Sequence, residues 1–489
     1  MKTRSTLVIS CICTILALTS SANDTITRAD IQAVIERLQK LEAENKKQAS
    51  RIDELEKRNR QLESQLKPQA PVILAASAPK VEEGTETNST GRIYTTKDGS
   101  KFFLADKFAN IFEPLSESGL KITPYGYLAF EGVYNSHAVD GDYVTDFVKR
   151  HGKGGTTLSM QDSILGVKFA TPEADHGWTF SGKAEFDLAG ANENDYAFHW
   201  RHLYVDAQHE SGWSILFGQT WHLWKMVTPS EIDGAWMENT GHPYRRSPQI
   251  RLTKKWSWED SSLEARVGIV KGGPGMGGDR DSDEIQDNSA SNWALLQGAL
   301  VYDRVTPWDT SRRWLLGVGG MYGRDRSHRW DGGNGFTSVD DEYDSKMVMI
   351  AGSLPIYKSF TLTGQIFAGD NLGGIQAGCA QRVAYMRPYA KGREVSTIGG
   401  FADLNWQYND DWSFAIGYGF DDPTDSEARY ASNILRNDRA YVAAFYNINA
   451  NLKIGLEYAR LTTVYGEKDT KDKDSVGDDR VQFSAWYNF

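Results

Sequence analysis

From about residue 121 to its end the chain alternates apolar and polar positions with period two. Trp178, Phe180, Gly182, Ala184, Phe186 and Leu188 share one face of such a run, while Thr179, Ser181, Lys183, Glu185 and Asp187 share the other. A strand with one apolar face reads this way. The pattern predicts sixteen strands, near 122–134, 158–170, 177–188, 199–208, 213–221, 249–256, 262–271, 292–302, 313–323, 346–355, 359–369, 394–408, 412–420, 438–448, 451–465 and 479–489. Long connectors (135–157, 189–198, 222–248, 272–291, 324–345, 370–393, 421–437 and 466–478) rotate with short ones such as 209–212 and 449–450. A soluble sandwich alternates too, but long loops at one end and short turns at the other are the mark of a transmembrane barrel, and an even strand count returns both ends to one side. The final run, Val481, Phe483, Ala485, Tyr487 and Phe489, ends the chain on an aromatic residue. That ending resembles the signal outer-membrane barrels present to their assembly machinery, with Phe489 as its last residue.

A different period precedes the strands. Ile31, Leu38, Asn45, Ile52, Asn59 and Leu66 fall at one position of a seven-residue repeat, and Val34, Leu41, Gln48, Leu55 and Leu62 at the other. Such heptads predict a parallel coiled coil, in which the polar Asn45, Gln48 and Asn59 cost stability and help fix register. Arg37 with Glu42 around Leu38 and Leu41, and Arg51 with Glu56 around Ile52 and Leu55, resemble a trimerisation motif of short coiled coils. Pro68 and Pro71 end the helix.

Residues 1–22 read as a secretory signal peptide: Lys2 and Arg4, then an apolar stretch from Leu7 to Leu18, then Ser20-Ser21-Ala22. The predicted organisation is therefore signal peptide 1–22, periplasmic coiled coil 23–67, linker and bridge 68–120, and barrel 121–489. Cys11 and Cys13 would leave with the signal, and Cys379 alone would remain, so no internal disulfide is expected.

Composition agrees with the pattern. Charged residues make up 24% of the chain and aromatics 12%, with 46 Gly and 14 Pro. No apolar run is long enough for a membrane-spanning helix, whereas a barrel hides its lipid face on alternate residues. The formal charge is −11, which excludes a nucleic-acid partner.

Sixteen strands enclose an aqueous channel. The connector 222–248 after the fifth strand is placed to narrow it, and carries acids (Glu231, Asp233, Glu238) as well as bases. Alternation puts Lys168, Lys183, Arg251, Arg266 and Arg439 on the lumen face, with Glu185, Asp187 and Glu264. Arg245, Arg246 and Arg251 form the densest basic group and favour anions; Arg245 or Arg246 paired with Glu231 or Asp233 is the plainer alternative. Acidic runs in the loops (Asp279, Asp281, Asp283, Glu284 and Asp287; Asp340, Asp341, Glu342 and Asp344; Asp469, Asp472 and Asp474) match no calcium loop. No metal, cofactor or catalytic group is expected.

Tyr125-Gly126-Tyr127, the run from Arg201 to Tyr204, Phe217-Gly218-Gln219-Thr220-Trp221 and Arg246-Ser247-Pro248-Gln249-Ile250-Arg251 resemble the DcaP-like family of trimeric outer-membrane porins. The resemblance spans about four-fifths of the chain. It implies a sixteen-stranded barrel behind a periplasmic coiled coil. It further implies diffusion of small organic anions, dicarboxylates included, past a basic constriction matched here by Arg245, Arg246 and Arg251. The acidic loops and Cys379 depart from that pattern. Expected partners are two further copies of the chain, outer-membrane lipid and lipopolysaccharide, the barrel assembly machinery and small-molecule permeants.

Two rivals remain. In one the rod contacts peptidoglycan and the protein is an anchor. In the other the barrel is an enzyme, with His222 and His242 meeting in the third loop. His199 and His202 are expected on opposite faces of their strand, which prevents a shared metal.

Overall fold

The computed structural model describes residues 120–489 except 142–143, 172–174, 191–195, 273–293, 331–337, 358, 387–391 and 469, with 175, 326–330 and 338–341 described by backbone alone. Ahead of these it describes Lys57, which is helical, and the backbones of Thr87–Asn88, Gly91–Thr95 and Lys101–Ala105. The last three pair as a small antiparallel sheet within the segment expected to be linker and bridge. The rest of the expected coiled coil, including Arg37, Glu42, Arg51, Ile52, Leu55 and Glu56, lies outside the described residues.

The alternating region closes into an antiparallel barrel of sixteen strands. These are β1 (Lys121–Asn135), β2 (Thr156–Ser159 and Ile164–Ala170), β3 (Trp178–Asp187), β4 (His199–His209), β5 (Trp213–Trp221), β6 (Arg246–Ser257), β7 (Ser261–Val270) and β8 (Leu295–Thr306). They continue as β9 (Asp309–Trp330), β10 (Ser338–Tyr357), β11 (Phe360–Asp370), β12 (Ser396–Gln407), β13 (Trp412–Pro423), β14 (Ile434–Asn447), β15 (Leu452–Gly466) and β16 (Lys473–Asn488). β16 pairs with β1, Val481 opposite Tyr134 and Tyr487 opposite Leu128, which closes the ring. The terminal Phe489 extends that pairing by exchanging backbone bonds with Gly126, at 3.1 and 3.3 Å.

Three departures from simple alternation matter. β2 is broken at residues 160–163, and the Ser163 hydroxyl replaces the lost ladder bond by accepting from Ala129 N–H at 3.0 Å. β9 and β10 have 22 and 20 residues, and their ladder reaches far into the stretch expected to be a loop, to Trp330 opposite Ser338, with Arg324 paired to Asp344 at 3.1 Å along it. β3, β4 and β5 are short by contrast, with 10, 11 and 9 residues.

The outer surface is a belt of exposed apolar side chains, among them Val348, Ile350, Ile366, Ile416, Leu456 and Phe483. Aromatics crowd its short-turn end, with Trp308 on Trp314, Phe360 on Trp406 and Trp412 on Tyr446 at 5.7, 5.7 and 4.7 Å. The long-loop end of β9–β16 also carries exposed ion pairs: Lys346–Asp370, Arg436–Asp422 and Arg460–Asp479 at 3.0, 2.9 and 2.7 Å. An apolar belt with an aromatic girdle is the surface of a barrel that crosses a bilayer.

Candidate functional site

The third long connector, 222–245, folds inside the barrel. Leu223 and Trp224 pack on Val270, Leu295, Met321 and Phe367, residues at inward positions of β7, β8, β9 and β11. Val227, Ile232 and Met237 then join Phe401, Tyr441 and Ala459 across the lumen, on β12, β14 and β15. Gly241 takes φ +113°, and a Cβ there would collide with the Gly400 carbonyl of β12. The first and sixth connectors also fold inward: Asn239 Nδ2 donates to Asp146 at 3.3 Å, its Oδ1 accepts from Ala380 N–H at 2.8 Å, and Arg245 donates to the Gly374 carbonyl at 2.9 Å.

A buried charge cluster anchors the far end of the loop. Arg439 of β14 holds Asp233 at 2.6 Å, Glu231 at 3.2 Å and Glu457 of β15 at 3.6 Å, and Arg480 of β16 reaches Asp233 at 3.2 Å. The Ile232 N–H donates to Glu457 at 2.6 Å. Burial, reinforced by Glu457 and Asp233, pushes the Glu231 carboxyl up despite Arg439; for Asp233 burial works the same way, but Arg439 and Arg480 outweigh it and hold it low. Arg439 is 1% exposed, so it fastens the loop and presents nothing to lumen water. Arg245 and Arg246 do not pair with Glu231 or Asp233, whose partners come from the opposite wall.

The near wall carries the remaining predicted residues. Lys183 pairs with Glu185 at 2.7 Å, and Arg266 bonds to Glu264 and, at 3.1 Å, to the Leu223 carbonyl. Lys168 lies 4.6 Å above the Tyr125 ring. Arg251 donates to Gln249 and to the Trp221 carbonyl, at 2.9 and 2.7 Å. Arg246 rests 4.4 Å over the Trp221 ring, and Lys225 sits 5.2 Å from the same ring. Trp221 in turn meets Trp236 and Tyr244 of the loop at 6.0 and 5.6 Å. Among the described residues no carboxylate lies within ion-pair distance of Lys225, Arg245, Arg246 or Arg251. Asp206, Gln208, Leu216, Arg251, Lys255 and Glu264 border a water-accessible cavity of about 310 Å³ on this wall.

Glu238 accepts from Tyr244 at 3.3 Å, and burial pushes it up to about 8. Burial, with Arg246 and Arg201 adding to it, lowers Lys225 to about 8. Burial also brings His222 and His242 down to about 3, so both are neutral. The two do not meet: His222 contacts Ser247 at 2.9 Å and Gln297 at 3.3 Å, and His242 faces the Trp236 and Val227 carbonyls.

His199 and His202 correct the expectation of opposite faces. The β3–β4 register shifts between Trp200 and His202, and the resulting bulge turns both rings inward, His199 to Asp187 at 3.1 Å and His202 toward Glu185 at 3.7 Å. Arg201, in the bulge, bonds Glu185 and Asp187 at 2.9 and 2.8 Å, a contact that period-two reasoning missed. Among the described residues no three His, Cys, Asp or Glu side chains are grouped to hold a metal.

A closed sixteen-stranded barrel, apolar outside and narrowed by an inward third loop, defines the porin class of transmembrane fold. The outer membrane channel DcaP of Acinetobacter baumannii superposes with a TM-score of 0.61 at 18% identity, covering 76% of this chain and 98% of that one; the chain shares that channel's fold. A loop-deletion form of the outer membrane protein OmpT of Vibrio cholerae (12% identity, 76% and 100% covered) and an anion-selective porin from Comamonas acidovorans (11%, 76% and 100%) each give a TM-score of 0.48. No protein-family model and no curated protein matches the sequence.

Proposed function

We propose that the chain is a DcaP-like homotrimeric porin of the outer membrane, with its long loops outward and its coiled coil in the periplasm. It passes small hydrophilic solutes by diffusion and prefers small organic anions, dicarboxylates among them. The observation that supports this most is the group Lys225, Arg245, Arg246 and Arg251. Four cations without carboxylate partners beside the constricting loop attract anions, since a pore's selectivity follows the charge of its narrowest ring. Lys168, Lys183 and Arg266 extend the positive track, partly offset by Glu185 and Glu264. Reversal potentials in a planar bilayer under a salt gradient test the reading. Anion preference is expected; cation preference would overturn the charge assignment, and absence of conductance the porin itself.

A further inference from the structure

A carboxylate in an anion path repels the permeant, yet Asp206 of β4 lines the same cavity as Arg251 of β6. The two stand in one cross-strand row with Leu216 of β5 between them, Asp206 opposite Leu216 and Leu216 opposite Arg251. Neighbouring strands lie about 4.8 Å apart, so the acid and the base are rooted about 10 Å from each other. Arg251 spends Nε and Nη2 on Gln249 and the Trp221 carbonyl, both neutral, and its Nη1 bonds to nothing among the described residues. Asp206 is equally incomplete. Its Oδ2 accepts from Gln208 at 2.6 Å, and its shielded Oδ1 accepts from no group. Among the described residues no Lys, Arg or His nitrogen lies within ion-pair distance of it. Opposite charges beside one cavity commonly close into a salt bridge, and here each is held away from the other. Lys255 and Glu264 border the cavity too, and Glu264 is already taken by Arg266. The unpaired charges of the cavity are therefore one acid, Asp206, and two bases, Arg251 and Lys255.

We infer that this cavity is a subsite for acidic amino acids, molecules that carry two carboxylates and one protonated amine. The carboxylates meet Arg251 and Lys255, the ammonium meets Asp206, and the short aliphatic chain lies along Leu216. Size agrees, since a cavity of about 310 Å³ admits a molecule of this kind with some water. Reach agrees as well: charge-assisted bonds of about 2.8 Å at each end, with the ligand's own carbons between, bridge what remains of the gap once both side chains extend inward. Two cations against one anion leave one positive charge, and the ligand brings one net negative charge at neutral pH. Asp206 gains the donor it lacks. A carboxylate oxygen shielded from water without a donor is costly, and the soft χ2 torsion of Asp lets a small turn present it to the amine. A plain dicarboxylate satisfies the two bases but leaves Asp206 opposed to it. The inference rests on the porin reading and narrows its permeants.

The test uses the full mature chain in a planar bilayer at about pH 7 and measures block of single-channel current by glutamate and by glutarate. The two share one dicarboxylate frame and differ by the amine. Charge alone favours glutarate, the dianion, at a pore with a basic constriction; the subsite reverses that order. Glutamate should half-block the unaltered channel at a concentration about tenfold below glutarate, the worth of one charge-assisted hydrogen bond. Asp206→Asn keeps the shape of the side chain, and its conductance in potassium chloride shows that the barrel has formed. It should weaken block by glutamate until the advantage over glutarate is gone, and leave glutarate as effective as before or more so. Glutarate blocking the unaltered channel as well as glutamate would overturn the inference without any variant, as would an advantage of glutamate that survives Asp206→Asn; in both cases a conducting channel leaves the porin reading in place. Absence of conductance in potassium chloride would overturn that reading and the subsite with it.

Discussion

Arg251 and Arg266 stand on neighbouring strands with similar exposure, yet their neighbours differ. Glu264 already neutralises Arg266, whereas Arg251 has only neutral acceptors, Gln249 and the Trp221 carbonyl. Arg251→Gln is therefore expected to shift the reversal potential toward cations clearly more than Arg266→Gln does; equal shifts would mean that pairing with Glu264 does not screen the charge. Arg439 is a different kind of residue. Removing it leaves Glu231, Asp233 and Glu457 buried around a missing cation, a loss of about 3–5 kcal/mol for a buried pair broken on one side. Arg439→Met should lower the unfolding temperature and, because the third loop loses its far anchor, raise and destabilise single-channel conductance. Lumen alternation placed Arg439 on the inner face, but an inner face includes positions covered by the loop, and burial decides whether a cation there meets ions.

In the proposed reading selectivity depends on the third loop, and two of its groups have their pKa brought to about 8 by burial. Glu238, held up by burial, is neutral below that value and anionic above; Lys225, held down by burial, is cationic below and neutral above. Both changes remove positive charge as pH rises, so anion preference should be fullest near pH 6 and decline between pH 7 and 9, with Glu238→Gln flattening part of the decline in reversal potential. The strands themselves were legible in the sequence, since lipid on one side and water on the other enforce period two, as Trp178–Asp187 illustrates. Less legible was the outer half of β9 and β10. There the outward positions Arg324, Glu342 and Asp344 are charged, the apolar signal vanishes, and Asp340, Asp341, Glu342 and Asp344 look like a loop. The Arg201 bulge was hidden because one inserted residue reverses every facing inferred beyond it. The charge lock was hidden because its partners, Asp233 and Arg439, meet only after the barrel closes.

At the scale of the whole molecule, the lumen is divided between a filled half, occupied by the third and sixth connectors, and the accessible basic track along β2–β7. Cys379 belongs to the filled half, fully buried, its thiol pushed well up by burial and Asp421. The interruption of β2 has a consequence of another kind. β1 is held continuously by β16 from Tyr127 to Asn135, but on its other side the ladder lapses between Tyr127 and Glu131, where side chains bridge the gap, the Ser163 hydroxyl at Ala129 N–H and the Asp162 carboxylate at the Tyr127 hydroxyl. A closed ring of ladders opens first at its weakest stitch, so in deuterated solvent the amides of 160–163 and Ala129 should exchange ahead of every other strand amide at that depth. The barrel would then possess a kinetic zipper end, a place where a closed ring begins to come undone.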